Sequence, residues 1–258
     1  MILIKSPSEI EKMRAAGRIL ALLLDELEAM VAPGISTYEL DAFADSFIRK
    51  HGGRAAFKGY TIPGLPPFPG AICASVNDGI VHGIPSRKTI LAEGDIIGVD
   101  VGIELDGYYS DTARTYKVGK VSEEASRLLD VTEQALYIGI DAARAGKRVG
   151  DISHAIESFV RAAGYYCADD LTGHGVGKAL HEDPMIPNVG MPDRGPRLKA
   201  GMTIAIEPMV NIGTNRVIEK GWEFFTADKS LSAHFEHSIL ITANEAEILS
   251  FSRRNLNE

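Results

Sequence analysis

Four acids and two histidines stand in this chain where side chains of their kind carry a cost. GDIIGVDVGIELDGYYSDTARTY (94 to 116) holds Asp100 and Asp111 among strand-forming residues, GMTIAIEPMV (201 to 210) ends its apolar run on Glu207, and LSAHFEHSILIT (231 to 242) carries Glu236. LTGHGVGKALHEDP (171 to 184) supplies His174 and His181. A carboxylate set in an apolar strand is ill placed unless something satisfies it. Four of them converging would repel and raise one another's pKa. Two divalent ions with an activating water would neutralise them, and one histidine beside four carboxylates suits Mn, Fe, Co or Zn better than Mg or Ca. On residue type alone the other readings stay open. The aspartates fit a solvated sheet face, the glutamates fit salt-bridged strand edges, and the histidines fit an ordinary loop.

The hairpin is the most specific of these features. Asp106-Gly107 is a strong two-residue turn signal. With that loop, Asp100 lies opposite Ala113 and Asp111 opposite Gly102, so all four share one face. The two aspartates become diagonal neighbours, roughly 7 to 8 Å apart between Cβ atoms. Gly102 and Ala113 are expected to leave the space beside them open. His174 and His181 are spaced like two helical turns, but glycines at 173, 175 and 177 oppose a helix. Each costs roughly 0.8 to 1 kcal/mol in a helix interior, so a loop or short strand is expected.

The elements that must position these residues are legible in outline. Ser6-Pro7-Ser8-Glu9 has the N-cap, first-turn proline and N3 glutamate that open a helix, which should stop before Pro33-Gly34. Ser36 to Glu39 repeats the capping box for a helix ending at Gly52-Gly53, and two more helices fit 123 to 144 and 151 to 163. Strand-like runs lie near 54 to 58, 72 to 76, 95 to 104, 108 to 116, 202 to 207, 223 to 226 and 234 to 242. Shifting 34–51 by 112 residues places it without a gap on 146–163, matching Gly34, Ser46, Phe47 and Arg49 with Gly146, Ser158, Phe159 and Arg161. That match suits either chance between two amphipathic helices or a duplicated unit of helices followed by strands. Duplication implies an α+β chain with antiparallel strands, and a site between the halves that draws residues from both.

Composition narrows the classes. The chain has 258 residues, 45% hydrophobic and 24% charged, which is ample for a large core. Its net charge of −8 argues against nucleic acid as main partner. No run of apolar residues is long enough for a membrane span, and MILIKSPSEIEKMRAAG lacks a secretory h-region. Cys73 and Cys167 are no disulfide scaffold, so a reducing cytoplasm is the expected home.

In order and spacing, NDGIVHGIP (77 to 85), the VDVG…DGYYSDTART hairpin, GHGVG…HEDP, IEPM and HFEHS resemble the type I methionine aminopeptidases, across essentially the whole chain. They also resemble the broader creatinase and prolidase group. The resemblance implies the pseudo-two-fold pita-bread fold, one catalytic domain over 1–258 made of two related halves, about 1–120 and 121–258. It implies removal of the N-terminal methionine from nascent chains with a free amine and a small second residue. Asp100 would chelate one divalent ion, Asp111 and Glu236 would bridge two, and His174 with Glu207 would complete the coordination of the second ion. His82 would lie over the substrate's side of the site and orient the scissile amide. His181 would contact the peptide near the scissile bond, the glycines of 173–177 letting the backbone turn twice to deliver His174 to the metal and His181 to the substrate. Glu207 is the expected proton carrier. Tyr60, Phe68, Cys73 and Trp222 would grip the methionine side chain.

Some positions depart from the bacterial pattern. Phe57 stands where Cys is common, Leu180 where a bulky aromatic is common, and His234 where Gln is common. The segment TIPGLPPFPG (61 to 70) is longer than the usual loop. These put the pocket's shape in question rather than the reaction class. His51, His154, His234 and His237 read as structural or surface residues. A monomer in transient contact with the ribosome is the expected assembly. The rival activities are a proline-directed peptidase of the same fold and a metal-free peptide-binding protein built on it.

Overall fold

A computed structural model describes residues 2–251 of the chain. Helices α1 (Pro7–Met30) and α2 (Thr37–Lys50) open on the two expected capping boxes, Ser6 with Glu9 and Ser36 with Glu39. The second pair is α3 (Glu123–Ala142) and α4 (Val149–Ala162). α4 starts ahead of the expected residue 151 because the Asp151 carboxylate accepts the Arg148 N–H at 2.8 Å, closing the first turn from inside.

Nine of the described strands form an antiparallel sheet and the others two sheets of three, so the chain is α+β. The main path of the large sheet runs Arg54–Ala55, Ile96–Leu105, Tyr108–Lys117, Glu236–Leu240, Thr203–Ile206, Thr172–Gly175 and Glu182–Pro187. Period-two alternation divides its work. Ile97, Val99, Val101 and Ile103 pack beneath α1 and α2, while Ile204, Ile206, Ile239 and Ile241 pack beneath α3 and α4. The intervening Asp100 therefore faces away from the helices.

The shift of 112 residues reappears in the backbone. Gly34 N–H donates to Leu91 O and Leu91 N–H to Ile35 O, both 2.8 Å; Gly146 N–H donates to Leu198 O at 2.9 Å and Leu198 N–H to Lys147 O at 2.8 Å. Gly34 and Gly146 have φ of +96° and +93°, a conformation that favours glycine. The turns that start the next strands also match. Asp95 N–H donates to Ala92 O and Met202 N–H to Lys199 O, both 3.1 Å. Gly94 and Gly201 have φ of +92° and +87°, and Asp100 and Glu207 each stand six residues beyond their glycine.

The two sets of strands meet where Tyr108–Lys117 pairs with Glu236–Leu240, Ala113 opposite Glu236. Buried hydroxyls stitch this seam. Ser238 Oγ accepts the Asp111 N–H at 2.9 Å and donates to the Asp111 carbonyl at 2.8 Å. Thr112 Oγ1 donates to Glu236 O at 2.7 Å, and Thr115 Oγ1 to His234 O at 2.8 Å. Several strands escaped the sequence reading, among them Gly79–Val81, Met209–Asn211 and Glu182–Pro187. The last carries Pro184 and Pro187, which a strand tolerates only at a sheet edge, and it is the edge.

Ser238→Ala removes both ends of the link to Asp111 inside a buried seam. It is expected to cost about 2 to 4 kcal/mol, read as a shift in urea midpoint with unchanged slope.

Candidate active site

The hairpin has the expected register, Asp100 opposite Ala113 and Gly102 opposite Asp111, with its turn at Asp106 and Gly107. Glu236 starts the adjoining strand and faces Ala113, whose small side chain leaves it room. Glu207 follows strand Thr203–Ile206, and its carbonyl accepts from Asn188 Nδ2 at 2.9 Å. His174 lies on strand Thr172–Gly175. Its Nδ1 faces Gly175 O at 2.9 Å, which places the proton there and leaves the Nε2 lone pair free. That Nε2 stands 3.7 Å from Asp111 Oδ2 and 3.6 Å from Glu207 Oε1.

These groups open on one cavity of about 700 Å³. Asp100, Asp111, His174, Glu207 and Glu236 line it, as do His82, His181, Tyr60, Phe68, Cys73 and Trp222. The structure thus brings every sequence-derived candidate to a single depression. Tyr60, Phe68, Cys73 and Trp222 cluster there with Phe57, Leu65 and Leu180. Trp222 Nε1 donates to Pro66 O at 2.8 Å, and its ring meets Phe68 edge-on at 5.5 Å. Tyr60 Oη lies 2.8 Å from His181 Nδ1, and the rings of His174 and His181 are 4.4 Å apart. His82 has φ of +58° and a buried Nδ1 without a partner.

Two expectations change. Gly173, Gly175 and Gly177 are not at positive φ; they are sites of close approach. A Cβ would come 2.4 Å from Ala205 O at Gly173 and 2.2 Å from Asp183 O at Gly175. The glycines let strands touch rather than let the chain turn twice. The space beside Gly102 is also not open, since a Cβ there would meet Ala56 and Phe57 at 3.0 Å. His234, assigned to structure or surface, is buried with Nε2 3.6 Å from Glu207 Oε2. Its place two residues before Glu236 in HFEHS was a usable signal, because alternate residues share a strand face. His237 is structural, bonded to Ser250 Oγ at 2.9 Å, and His51 and His154 are exposed.

The electrostatics explain what this depression is suited to hold. Burial raises the Asp111 carboxyl to about 7. Burial first, then the charge of Asp111, pushes Asp100, Glu207 and Glu236 well above the usual carboxylate range. Burial lowers His174 to about 3, keeping it a neutral donor ligand. Asp100 Oδ1, Asp111 Oδ1 and Glu236 Oε1 are buried without a hydrogen-bond partner. Donor atoms of Asp111, His174 and Glu236 all lie within 4.8 Å of one another, a set that fits a divalent transition metal. Asp100 and Glu207 stand beside this trio rather than within it.

The sequence profile of the M24 metallopeptidases matches residues 11–243. The chain belongs to metallopeptidase family M24. Within M24 it is similar to methionine aminopeptidase 1 of Bacillus subtilis, 48% identical over 252 residues that span 97% of this chain and 99% of that protein. The methionine aminopeptidase of Clostridium acetobutylicum is 46% identical over the same shares. The crystal structure of methionine aminopeptidase from Thermotoga maritima superposes with a TM-score of 0.94 at 45% identity, covering 98% of this chain and all 100% of that one. The M24 chain therefore has the pita-bread fold. The prolidase of Pyrococcus horikoshii, at 23% identity and a TM-score of 0.79 over 65% of its length, shares that fold alone.

A pH dependence follows for the metal-free M24 protein. Unfolded histidines titrate near 6.5 and are largely neutral only from about pH 7.5, so above that the carboxylates decide the slope. Asp100, Glu207 and Glu236, pushed well above the usual range, still hold protons there when folded, and Asp111, raised to about 7, does so in part. The native protein therefore binds more protons than the unfolded one. Stability in chelator is expected to fall as pH rises from about 7.5 to 8.5, followed by thermal melting. Saturating divalent ion should raise the melting temperature most at the upper end of that range.

Proposed function

We propose that the protein is a methionyl aminopeptidase that releases the first methionine from chains with an unblocked amine and a small second residue. The observation that carries this is the meeting of four carboxylates, Asp111 and Glu236 buried and Asp100 and Glu207 half-buried, with His174 at the floor of a cavity whose wall is apolar. The chain acts as one catalytic domain of two related halves, 1–120 and 121–258, of which residue 1 and residues 252–258 lie outside the described residues. Two divalent ions would be held here. Asp100 would chelate one, Asp111 and Glu236 would bridge both, and His174 and Glu207 would complete the second. When bound, such ions neutralise the carboxylates, lower the pKa of a shared water and act as Lewis acids. The donor set favours Mn, Fe, Co or Zn.

The side chains then have separate tasks. Glu207 takes the proton of the attacking water on one carboxylate oxygen and returns it to the leaving nitrogen. Tyr60 Oη at 2.8 Å from Nδ1 of His181 turns its Nε2–H toward the carbonyl oxygen that gains charge. His82, its Nδ1 buried without a partner, orients the scissile amide. Tyr60, Phe68, Cys73 and Trp222 hold the methionine side chain, with Phe57, Leu65 and Leu180 closing the same wall. Fixing Trp222 through Pro66 makes that wall rigid, which favours one unbranched side chain over bulkier ones.

The substrate is the amino-terminal segment of a nascent chain, and we place the enzyme in the cytoplasm as a monomer in transient contact with the ribosome. Nucleic acid and membrane are not expected partners. No described helix is long and apolar enough to cross a membrane.

With a divalent ion restored, Met-Ala-Ser is expected to be cleaved, while Met-Leu-Ser, formyl-Met-Ala-Ser and Ala-Pro peptides are not. Preferential cleavage of Ala-Pro would move the protein to the proline-directed activity, and inertness with every ion would favour a binding protein. Glu207→Ala is expected to lower kcat by about a hundredfold or more with unchanged circular dichroism; near-full turnover would remove Glu207 from proton transfer.

A further inference from the structure

His181 stands at the end of the connection between strands Thr172–Gly175 and Glu182–Pro187, and a connecting turn is a loose mount for a group that must meet a reacting oxygen. The next residue is tied down. Glu182 Oε2 pairs with Lys5 Nζ at 2.5 Å, and the two side chains are only 7% and 3% exposed. Its other oxygen accepts the Lys178 N–H at 2.6 Å and the Ala179 N–H at 3.2 Å. One carboxylate thus joins the start of the turn, the end of the turn and the segment ahead of α1. The chain makes room for the lysine. A Cβ on Gly177 would lie 2.3 Å from Lys5 Cε. The lysine's own backbone is fixed, since Lys5 N–H donates to Gly201 O at 2.8 Å. The turn is held from its other side by Tyr109 N–H, which donates to Gly177 O at 2.7 Å. An outer tie runs from Lys178 Nζ to Glu9 Oε1 at 3.2 Å.

We infer that Lys5 is a positioning residue whose buried ion pair with Glu182 sets the turn that presents His181 to the substrate. An ion pair is a costly way to fill a buried space. Apolar side chains of similar volume are commonly as stable or more so. What the pair supplies that apolar filling does not is direction, because a carboxylate with both oxygens engaged cannot rotate. Glu182 also lines the cavity next to His181, so any slip of the turn moves the imidazole directly. A misplacement on the order of 1 Å can cost a hundredfold in rate.

The inference rests on the aminopeptidase proposal, and its test separates the two. Failure of the unmodified, ion-loaded enzyme to release methionine would sink that proposal. The positioning role is instead read from a double-mutant cycle of Lys5→Met and His181→Ala on Met-Ala-Ser. Alone, Lys5→Met is expected to lower kcat about tenfold or more with KM changed less than about twofold, because His181 acts on charge that develops only in the transition state. In the His181→Ala background the same substitution is expected to change kcat less than about twofold. Equal losses in both backgrounds, or a change confined to KM, would overturn the role. If Lys5→Met does not melt cooperatively, the cycle is run with Lys5→Met/Glu182→Gln, which removes both charges and keeps the acceptor for the turn's N–H groups. The same two outcomes decide it.

Discussion

Like charges packed together in a protein interior push apart, and this active site is built on resisting that push. Two carboxylates about 4 Å apart interact by roughly 4 kcal/mol at an effective dielectric of 20. That push shows as retained protons: the charge of Asp111 raises Asp100, Glu207 and Glu236, and Glu207 raises Asp100 and Glu236 as well. A flexible mount would let them separate. The structure puts them on a hairpin with a two-residue turn and on strands joined by buried hydroxyls, and Ser238 binds both the N–H and the carbonyl of Asp111. Bound divalent cations would neutralise the cluster. The same four acids that hold protons in the empty protein would then give up those protons to bind a metal.

The cavity above this floor separates recognition from chemistry. Its floor is acidic, with imidazoles at the edge, and its wall is aromatic and aliphatic. That division suits a polar group at the floor and an unbranched apolar side chain against the wall. Each histidine is sorted by the one bond it makes. Gly175 O takes the Nδ1 proton of His174 and leaves its Nε2 facing Asp111 and Glu207, whereas Nδ1 of His181 meets the Tyr60 hydroxyl. Two imidazoles with ring centres 4.4 Å apart thus answer to different partners.

What the sequence disclosed was whatever short-range rules control. The Asp106-Gly107 turn fixed the register of Asp100 and Asp111, and the Ser6 and Ser36 boxes marked helix starts to the residue, because both depend on a few adjacent side chains. Assigning the individual ligands required the family resemblance, since spacing alone left a solvated sheet face open. What stayed hidden depends on the meeting of distant segments. Ser238 and Thr112 look like ordinary strand residues until the two halves are joined. Glu182–Pro187 was masked by its prolines. The glycines of 173–177 signalled irregular backbone, yet the cause was neighbouring strands and the stem of Lys5 pressing where a Cβ would be.

The matched halves account for how one backbone plan surrounds two corresponding acids unlike each other. Asp100 and Glu207 occupy corresponding places beyond Gly94 and Gly201. Across the hairpin Asp100 faces Ala113, whereas one step beyond the paired His237 and Ile206 the residue beside Glu207 is Glu236. Ala113 and Glu236 face each other at the seam, so the small residue of one half makes room for the acid of the other. The second half brings two imidazoles to its acid, His174 at one oxygen of Glu207 and His234 at the other, each 3.6 Å away. The opposite end has Cys73 paired with Asp100 instead, a thiol that burial keeps protonated. The symmetry of the strands therefore brings the acids together, and the departures from symmetry in the side chains give each acid its own surroundings.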